Sequence, residues 1–493
     1  MAGDLGWYDV GFHGSGDIKT PNIDALAYTG VILDRYYVAP ICTPSRSALM
    51  TGKYPIHTGM QHGVIMAAEP WGLSLTEKIL PEYLKDLGYK NHIVGKWHLG
   101  HYMRNYTPTY RGFESHLGYW TGHQDYFDHT AVEWPDWGLD MRRNLEPAWD
   151  LHGKYSTDLF TEETVKIINN HNQSDPLFLY LAHAAVHSAN PYNPLPAPDQ
   201  DVAKFQHIKD YKRRRFAAML NKLDDSVGAV VSALKKQSML QDTVIVFTTD
   251  NGGPAAGFND NSASNFPLRG VKNTYWEEPG RVSRELMDIT DWLPTLLTVA
   301  GGNNSILPTA IDGIDMWESL NNKGPSPRRV VVHNIDDIYG AAAITVDDWK
   351  LVKGTTYRGT WDDWYGSSSW DIPYNTHEVI ESSAGSAVTD LGLPLTLNLI
   401  INLREESQVD CGKKNTTLAK CRPLVKPCLF NIRSDPCEFN NLAEADNEML
   451  VNLMDVLNKV NKTAVPPRKV DSDPRSKPSL WDHTWTNFGD YTS

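Results

Sequence analysis

A chain of 493 residues, 41% hydrophobic and 22% charged, has the composition of a folded globular protein. It is long enough for two to four domains, or for one large domain with a smaller appendage. A formal net charge of −14 argues against nucleic acid as the main partner and obliges any anionic ligand to find a locally basic pocket. No apolar run approaches the roughly 20 residues that span a bilayer, so no membrane span is expected.

In chain order, Val31-Ile32-Leu33 and Tyr36-Tyr37-Val38 read as a strand leading into Cys42-Thr43-Pro44-Ser45-Arg46, with Thr51-Gly52 close behind. Pro44 suits the first turn of a helix. Cys42 then falls where free backbone N–H groups attract anions, with Arg46 an obligate cation within one turn. Leu75 to Leu87 carries helical periodicity. His92-Ile93-Val94 is a short strand running into Gly95-Lys96-Trp97-His98-Leu99-Gly100, where alternation along an extended segment would send Lys96 and His98 to the same side. Pro176 to Leu181 is a second apolar run, ending near His183 and His187, and Phe216 to Leu234 is a helix. Thr243 to Thr248 is continuous, apolar and β-branched, and is capped by Asp250-Asn251-Gly252-Gly253. Such a run predicts a buried parallel strand ending in a functional turn. A further helix surrounds Trp292 to Leu296.

Beyond about residue 330 the texture changes. Val330 to Val332, Ala343 to Val346 and Trp349 to Val352 predict short antiparallel strands, and Leu442 to Val460 a helix. Residues 354–376, rich in Gly, Ser, Trp and Tyr, predict a long surface excursion. The expected architecture is α/β with a large sheet flanked by helices over 1–330, and a smaller C-terminal α+β part over 331–493.

Cys42 stands apart from Cys411, Cys421, Cys428 and Cys437, a clustered even set. C-x-x-C spacing is absent, so disulfides are favoured over a metal. Of the three connectivities open to four cysteines, Cys411–Cys421 with Cys428–Cys437 is the weak preference. Five N-x-S/T sequons stand at Asn105, Asn172, Asn303, Asn415 and Asn461. Both features point to the secretory pathway. Met1 to Asp4 has neither the charged n-region nor the apolar h-region of a signal peptide, so the sequence is expected to lack its N-terminal end.

Candidate polar groups fall at the carboxyl ends of separate strands, where open α/β sheets place their sites. Asp4 sits in Gly3-Asp4-Leu5-Gly6-Trp7, and Asp250 and Asn251 follow the Thr243 run. Carboxylates with an amide oxygen suit Ca²⁺ or Mg²⁺, although Asp-Asn-Gly-Gly also simply makes a turn. His187 and Lys272 gain weight only in company with these groups. Trp120, Trp134, Trp137 and Trp361, on variable loops, are candidate platforms for sugar rings.

The stretches Asp4–Trp7, Cys42–Gly52, Gly95–Gly100, Asp250–Gly253 and Asp291–Thr295 resemble the sulfatase family. In order and spacing they look like its arylsulfatase B (N-acetylgalactosamine-4-sulfatase) branch. The resemblance implies an alkaline-phosphatase-like mixed sheet and a Cys42 oxidised by formylglycine-generating enzyme to formylglycine, whose hydrate is the nucleophile. It implies one Ca²⁺ bound by Asp4, Asp250, Asn251 and the modified Cys42. Arg46 would steady the hydrate and metal site, Lys96 would grip sulfate oxygens, and His98 would hold the second hydroxyl. His187 and Lys272 would serve the departing oxygen. The implied substrate is a sulfated sugar, with a glycosaminoglycan 4-sulfate foremost, handled in the lysosome or outside the cell. A formylglycine-dependent phosphodiester or phosphonate hydrolase, and a catalytically impaired or dead carbohydrate-binding relative, stay open as alternatives.

Two departures from the family pattern carry consequences. Family members open with an apolar strand and two adjacent aspartates, whereas here the first aspartate position is Gly3 and no such strand precedes it. After Trp276-Glu277 the chain passes through Glu278 to Ser283 directly into Arg284-Glu285-Leu286, about a strand shorter than the family. Weakened Ca²⁺ binding, unpaired strand edges and impaired activity are therefore expected.

Overall fold

The computed structural model describes residues 1–276, 283–322, 324–365 and 372–491. The shortened stretch after Glu277 falls on residues 277–282 and lies outside them, as does the middle of the 354–376 excursion. The N-terminal part is built on β1 (Leu33–Tyr37), α1 (Cys42–Thr51), β2 (Lys90–Lys96), β3 (Ser115–Tyr119), β4 (Leu177–Ala182), α2 (Tyr211–Lys236), β5 (Ser283–Asp288) and α3 (Trp292–Val299). β2 lies between β3 and β4, parallel to both, and the short segments Arg142–Arg143 and Glu146–Pro147 extend the β3 edge antiparallel. β1 and β5 form a separate parallel pair. Helices cover both faces of this mixed sheet. One core unites Leu49, Leu84, Ile93, Trp97 and Leu293, and the other gathers Val94, Phe160, Phe216 and Leu220.

The second layer is an antiparallel sheet in the order β6 (Val330–Asp336), β7 (Ala341–Val346), β8 (Trp349–Lys353) and β9 (Cys428–Asn431), packed on α4 (Asn447–Asn461). The first three are the expected strands; β9 is an addition that sequence texture did not reveal. α4 begins five residues after the periodicity does, because Asp446 caps it by accepting the Met449 N–H at 3.0 Å. In the same way the helix expected over 75–87 contracts to Leu80–Asp86, where Pro81 occupies the first turn and Glu82 accepts the Ile79 N–H at 2.8 Å. α2 is longer than its apolar stripe, starting at an Asp210 cap.

Three expectations are corrected. Thr243–Thr248 forms no ladder among the described residues; its sole strand-like link is the Ala2–Thr249 bridge, and Val244 and Ile245 are 49% and 38% exposed. The run has a strand's sequence, but no described strand lies against either edge. The disulfides are Cys411–Cys437 and Cys421–Cys428, not the sequential pairs. β9 starts at Cys428, and Gly354 at the end of β8 bonds to Pro423, so the chain around Cys421 doubles back beside Cys428. Trp120 is no platform: it is buried, with the Arg142 guanidinium 3.9 Å over its ring. Trp134 is exposed, and Trp137 stacks on His483 at 4.8 Å. No helix among the described residues is long and apolar enough to cross a membrane.

Candidate active site

The site assembles at the carboxyl ends of β1, β2 and β4 and of the Thr243 run. Ile41 is extended and Cys42 opens α1, so the thiol sits on the helix's first turn. Ser45 ties that turn to β1 by donating to the Ala39 carbonyl. Gly52 ends α1 at φ +65°, a left-handed cap that favours glycine, and a Cβ there would approach Ile311 Cδ1 to 2.7 Å. Lys96 ends β2. His98 follows at φ +58°, which breaks the extended alternation expected between them. Asp4 (φ +59°) and Asn273 (φ +64°), beside Lys272, are likewise left-handed. Non-glycine residues held this way concentrate at functional sites.

Asp4, Cys42, Arg46, Lys96, His98, His187, Asp250, Asn251 and Lys272 are each 0–4% exposed. Eight of them form a contiguous cluster. Asp250 Oδ2 accepts from Arg46 Nε (3.0 Å) and Nη2 (2.8 Å) and lies 3.8 Å from Lys96 Nζ. The Arg46 Nη1 donates to the Lys96 carbonyl at 3.0 Å, so one guanidinium fixes both the carboxylate and the end of β2. Asp4 accepts from Lys272 Nζ and from Asn251 Nδ2, both at 2.7 Å, and its own N–H donates to Asp250. His187 Nε2 lies 3.1 Å from Lys272 Nζ, and ligand atoms of Asp4, Cys42 and His187 fall within 4.8 Å of one another. His98 joins through Thr43, whose hydroxyl donates to the His98 carbonyl.

Burial governs the protonation states. It pushes the Cys42 thiol up, aided by Asp250, so the side chain is a neutral thiol rather than a ready thiolate. Burial opposes ionisation of Asp250, but Arg46, Lys96 and Lys272 outweigh it and hold the carboxyl well below its ordinary value. Burial likewise works against the Lys272 ammonium, yet Asp4 overrides it and keeps the proton on. Burial, reinforced by neighbouring cations, keeps His98 and His187 neutral. Their tautomers follow from geometry. His187 Nδ1 faces the Ser188 carbonyl at 2.6 Å, which can only accept, so Nδ1 carries the proton and Nε2 receives the Lys272 hydrogen bond. His98 Nε2 faces the Ile65 carbonyl at 3.0 Å, leaving Nδ1 as a bare acceptor.

Three buried polar atoms of this cluster have no hydrogen-bond partner among the described residues: Lys96 Nζ, His98 Nδ1 and Asn251 Oδ1. Buried polar groups are almost always satisfied, so a cation, an acceptor and an amide oxygen left bare together mark a site built for a ligand. Two carboxylates and the free Asn251 oxygen are hard donors that fit Ca²⁺. Sequence reading missed His123. Its ring lies parallel to that of His187 at 6.4 Å, and burial lowers it to about 4, with Lys96 adding to the shift. His123 lies in no motif singled out from the sequence, and its neighbour Gly122 is what first ties it to the site: a Cβ there would approach the His98 ring to 2.8 Å.

Residues 1–302 match the family model named Sulfatase. The chain belongs to the sulfatase family. It is 38% identical to mouse (Mus musculus) arylsulfatase J, covering 98% of this chain and 79% of that protein. It is 30% identical to mouse N-acetylgalactosamine-6-sulfatase, covering 73% of this chain and 72% of that one. The crystal structure of i-CgsB with k-i-k-neocarrahexaose matches at a TM-score of 0.70 and 25% identity, over 98% of this chain and 95% of that chain. As a sulfatase, the chain has the family's mixed α/β sheet, with the disulfide-bearing antiparallel sheet beyond it.

Proposed function

We propose that this chain is a sulfuric ester hydrolase that removes sulfate from sulfated sugars, with residues 1–330 as its catalytic part and 331–493 as a smaller appended unit. The observation that carries the reading is the trio of unpartnered buried atoms, Lys96 Nζ, His98 Nδ1 and Asn251 Oδ1, in the cluster that holds Cys42. A neutral, buried thiol is a poor nucleophile, which favours its conversion to formylglycine over direct thiolate attack. The formylglycine hydrate supplies a nucleophilic oxygen and a second hydroxyl through which the aldehyde is regenerated. Asp4, Asp250, Asn251 and the oxygen replacing the Cys42 sulfur would hold one Ca²⁺, which supplies Lewis acidity.

Lys96 presents an ammonium with spare donors to the sulfate oxygens. His98 Nδ1 accepts a hydroxyl proton, its ring fixed by the Ile65 carbonyl. Charge gathers on the ester oxygen as the S–O bond breaks, so an acid is needed there. Lys272 is that acid: Asp4 holds its proton in place, and neutral His187 orients it from the other side. Arg46 positions Asp250 and the β2 end. His123 borders the leaving-group side.

A glycosaminoglycan 4-sulfate is the substrate we favour. The motif spacing resembles the 4-sulfatase branch, which is what favours the 4-position; the relative N-acetylgalactosamine-6-sulfatase supports the sugar class alone. All five sequon asparagines are exposed, and two disulfides are formed, which supports passage through the secretory pathway to the lysosome or the exterior. Purified chain from a secretory host should hydrolyse an aryl sulfate in preference to a phosphate diester and release sulfate from 4-sulfated rather than 6-sulfated disaccharides. Binding of those disaccharides without turnover would instead establish the dead carbohydrate-binding reading, which Gly3 favours.

A further inference from the structure

Residues 411–433 carry six cations and no acidic residue: Lys413, Lys414, Lys420, Arg422, Lys426 and Arg433. A chain with 60 acidic residues in 493 would ordinarily place two or three of them in a stretch of this length. All six cations are exposed. Lys426 pairs with Glu444 and Arg433 with Asp348, whereas the other four have no ion pair among the described residues. Blocks of like charge usually repel one another and stay unfolded. This one is held. Cys411–Cys437 and Asn440 pin its first turn, where Asn440 accepts the Asn415 N–H at 2.7 Å and donates to the Lys413 carbonyl at 3.3 Å. Cys421–Cys428 closes the second, in which the Arg422 carbonyl accepts the Val425 and Lys426 N–H groups at 2.8 and 3.1 Å. Cations fixed in this way lose little freedom when a ligand binds.

The loop also rests on the segment that carries Lys272. Lys414 Nζ and the Arg269 guanidinium each lie 4.6 Å from the Trp364 ring, and Trp364 Nε1 donates to the Cys437 carbonyl at 2.9 Å. Gly270 N–H donates to Asp363 (3.0 Å) and the Thr356 hydroxyl to the Asn273 carbonyl (2.6 Å), so this excursion straps the chain on both sides of Lys272. Lys272 Nζ itself lies 5.7 Å from the ring of Phe258, which is 45% exposed. Trp361 packs beside that turn, since a Cβ on Gly257 would stand 3.0 Å from its indole. A chain of contacts therefore leads from the leaving-group side of the cluster, past Phe258 and Trp361, over Trp364 to the basic loop. Asp363 and Asp410 are exposed carboxylates beside it, outnumbered by the four unpaired cations.

We propose that residues 411–433 form a second binding surface for a sulfated polysaccharide chain, holding one stretch of the polymer while another presents its ester to the catalytic cluster. The inference rests on the sulfatase reading and extends it: the polymer is a better substrate than its own disaccharide. With a net charge of −14 the molecule repels polyanions at large, and a fixed basic surface beside the site reverses that locally. Tethering then raises the effective concentration of esters at the site. Leu424 and Val425, 59% and 76% exposed on the second turn, would suit an anionic membrane instead. They are two residues of one turn, however, and the contacts toward Lys272 favour the polysaccharide.

The test uses the full chain and end-labelled chondroitin 4-sulfate chains, followed by anisotropy, beside kinetics on those chains, on their disaccharide and on an aryl sulfate. A variant combining Lys413→Gln, Lys420→Gln and Arg422→Gln spares Lys414 and its packing on Trp364. It should bind the chains about ten-fold more weakly or worse at ~50 mM salt, and the gap should close near ~1 M, where the Debye length falls to about 3 Å. KM for the chains should rise about five-fold or more, with the disaccharide and the aryl sulfate within about two-fold. The charge-keeping combination of Lys413→Arg, Lys420→Arg and Arg422→Lys should bind as the unaltered chain does. Asn415, a sequon, lies inside the loop, so the comparison is repeated with Asn415→Gln, and that background decides. Unchanged binding by the neutralised variant, equal binding of unsulfated hyaluronan, or tighter binding to phosphatidylserine vesicles would overturn the proposal. A protein that binds through these cations but hydrolyses no sulfate ester would strike the sulfatase reading and leave the surface standing.

Discussion

Replacing Lys96 with methionine should make the protein more stable and less active at once. Lys96 Nζ is fully buried and makes no hydrogen bond among the described residues. Its attraction to Asp250 across 3.8 Å is worth about 4 kcal/mol at an effective dielectric of ~20. Against that stand the burial of the ammonium and its proximity to Arg46 and Lys272, and the balance is unfavourable: burial, then these cations, bring Lys96 below the ordinary lysine value despite Cys42 and Asp250. Asp250 keeps its two-fold grip on Arg46 when Lys96 is gone. A buried donor left unmade costs roughly 1–3 kcal/mol, so methionine, of similar length and apolar, should return about that much. In a chain of this size the melting midpoint would rise by ~1–5 °C. Turnover of an aryl sulfate should fall by about 10²–10³, the usual cost of removing a group that stabilises transition-state charge. The pH dependence has a definite sign. A lysine with a lowered value in the folded state imposes its penalty while it stays protonated, so the stability gap between Lys96→Met and wild type should close as pH rises toward the ordinary lysine value. Thermal melts across pH, beside steady-state kinetics, make the measurement. A variant that melts below wild type and keeps its turnover would refute the role given to Lys96.

The remaining predictions concern the same cluster. Lys272→Met should slow alkyl sulfates far more than aryl sulfates, because a basic leaving oxygen depends most on the Lys272 proton; equal losses, read as kcat for the two ester classes, would remove it from the leaving-group side. Chelation should lower the melting midpoint and Ca²⁺ should restore it, and Gly3→Asp should tighten Ca²⁺ binding about ten-fold or more by calorimetry, since carboxylate count tunes such sites. A Cβ at residue 3 would stand 3.0 Å from the Ala184 carbonyl, so a small shift there accompanies the gain. His123→Ala should raise KM for a sulfated disaccharide several-fold while leaving a small aryl sulfate within about two-fold, and the reverse pattern would count against a sugar-side position. Peptide mapping without reduction should return Cys411–Cys437 and Cys421–Cys428, and recovery of Cys411–Cys421 would contradict the fold around β9.

Legibility in the sequence followed locality. The Cys42 helix start, the Asp250 turn and the β6–β8 strands were visible because each is set by residues within one turn or one strand of chain. Thr243–Thr248 was misread for the opposite reason: its β-branched run is a genuine strand sequence, but a strand exists only where a neighbour pairs with it, and pairing is a long-range property. Its exposed Val244 and Ile245 record that lack. The disulfides depend on the unforeseen β9, which brings Cys421 and Cys428 together and leaves Cys411 for Cys437. His123 lies outside every motif because its place beside His187 arises from loops that meet only in the fold, while Trp120 reads as a surface platform in the sequence but is buried beneath the Arg142 guanidinium in the fold. His98 shows both sides. Its membership in the site followed from its stretch, but its orientation did not, because a left-handed backbone replaces the extended one.

The central claim is that Cys42 is the precursor of the catalytic group. Mass spectrometry of the Cys42 peptide, from protein made in a secretory host with its modifying enzyme, tests it directly. The account predicts an aldehyde at residue 42; a peptide carrying only the thiol would contradict it.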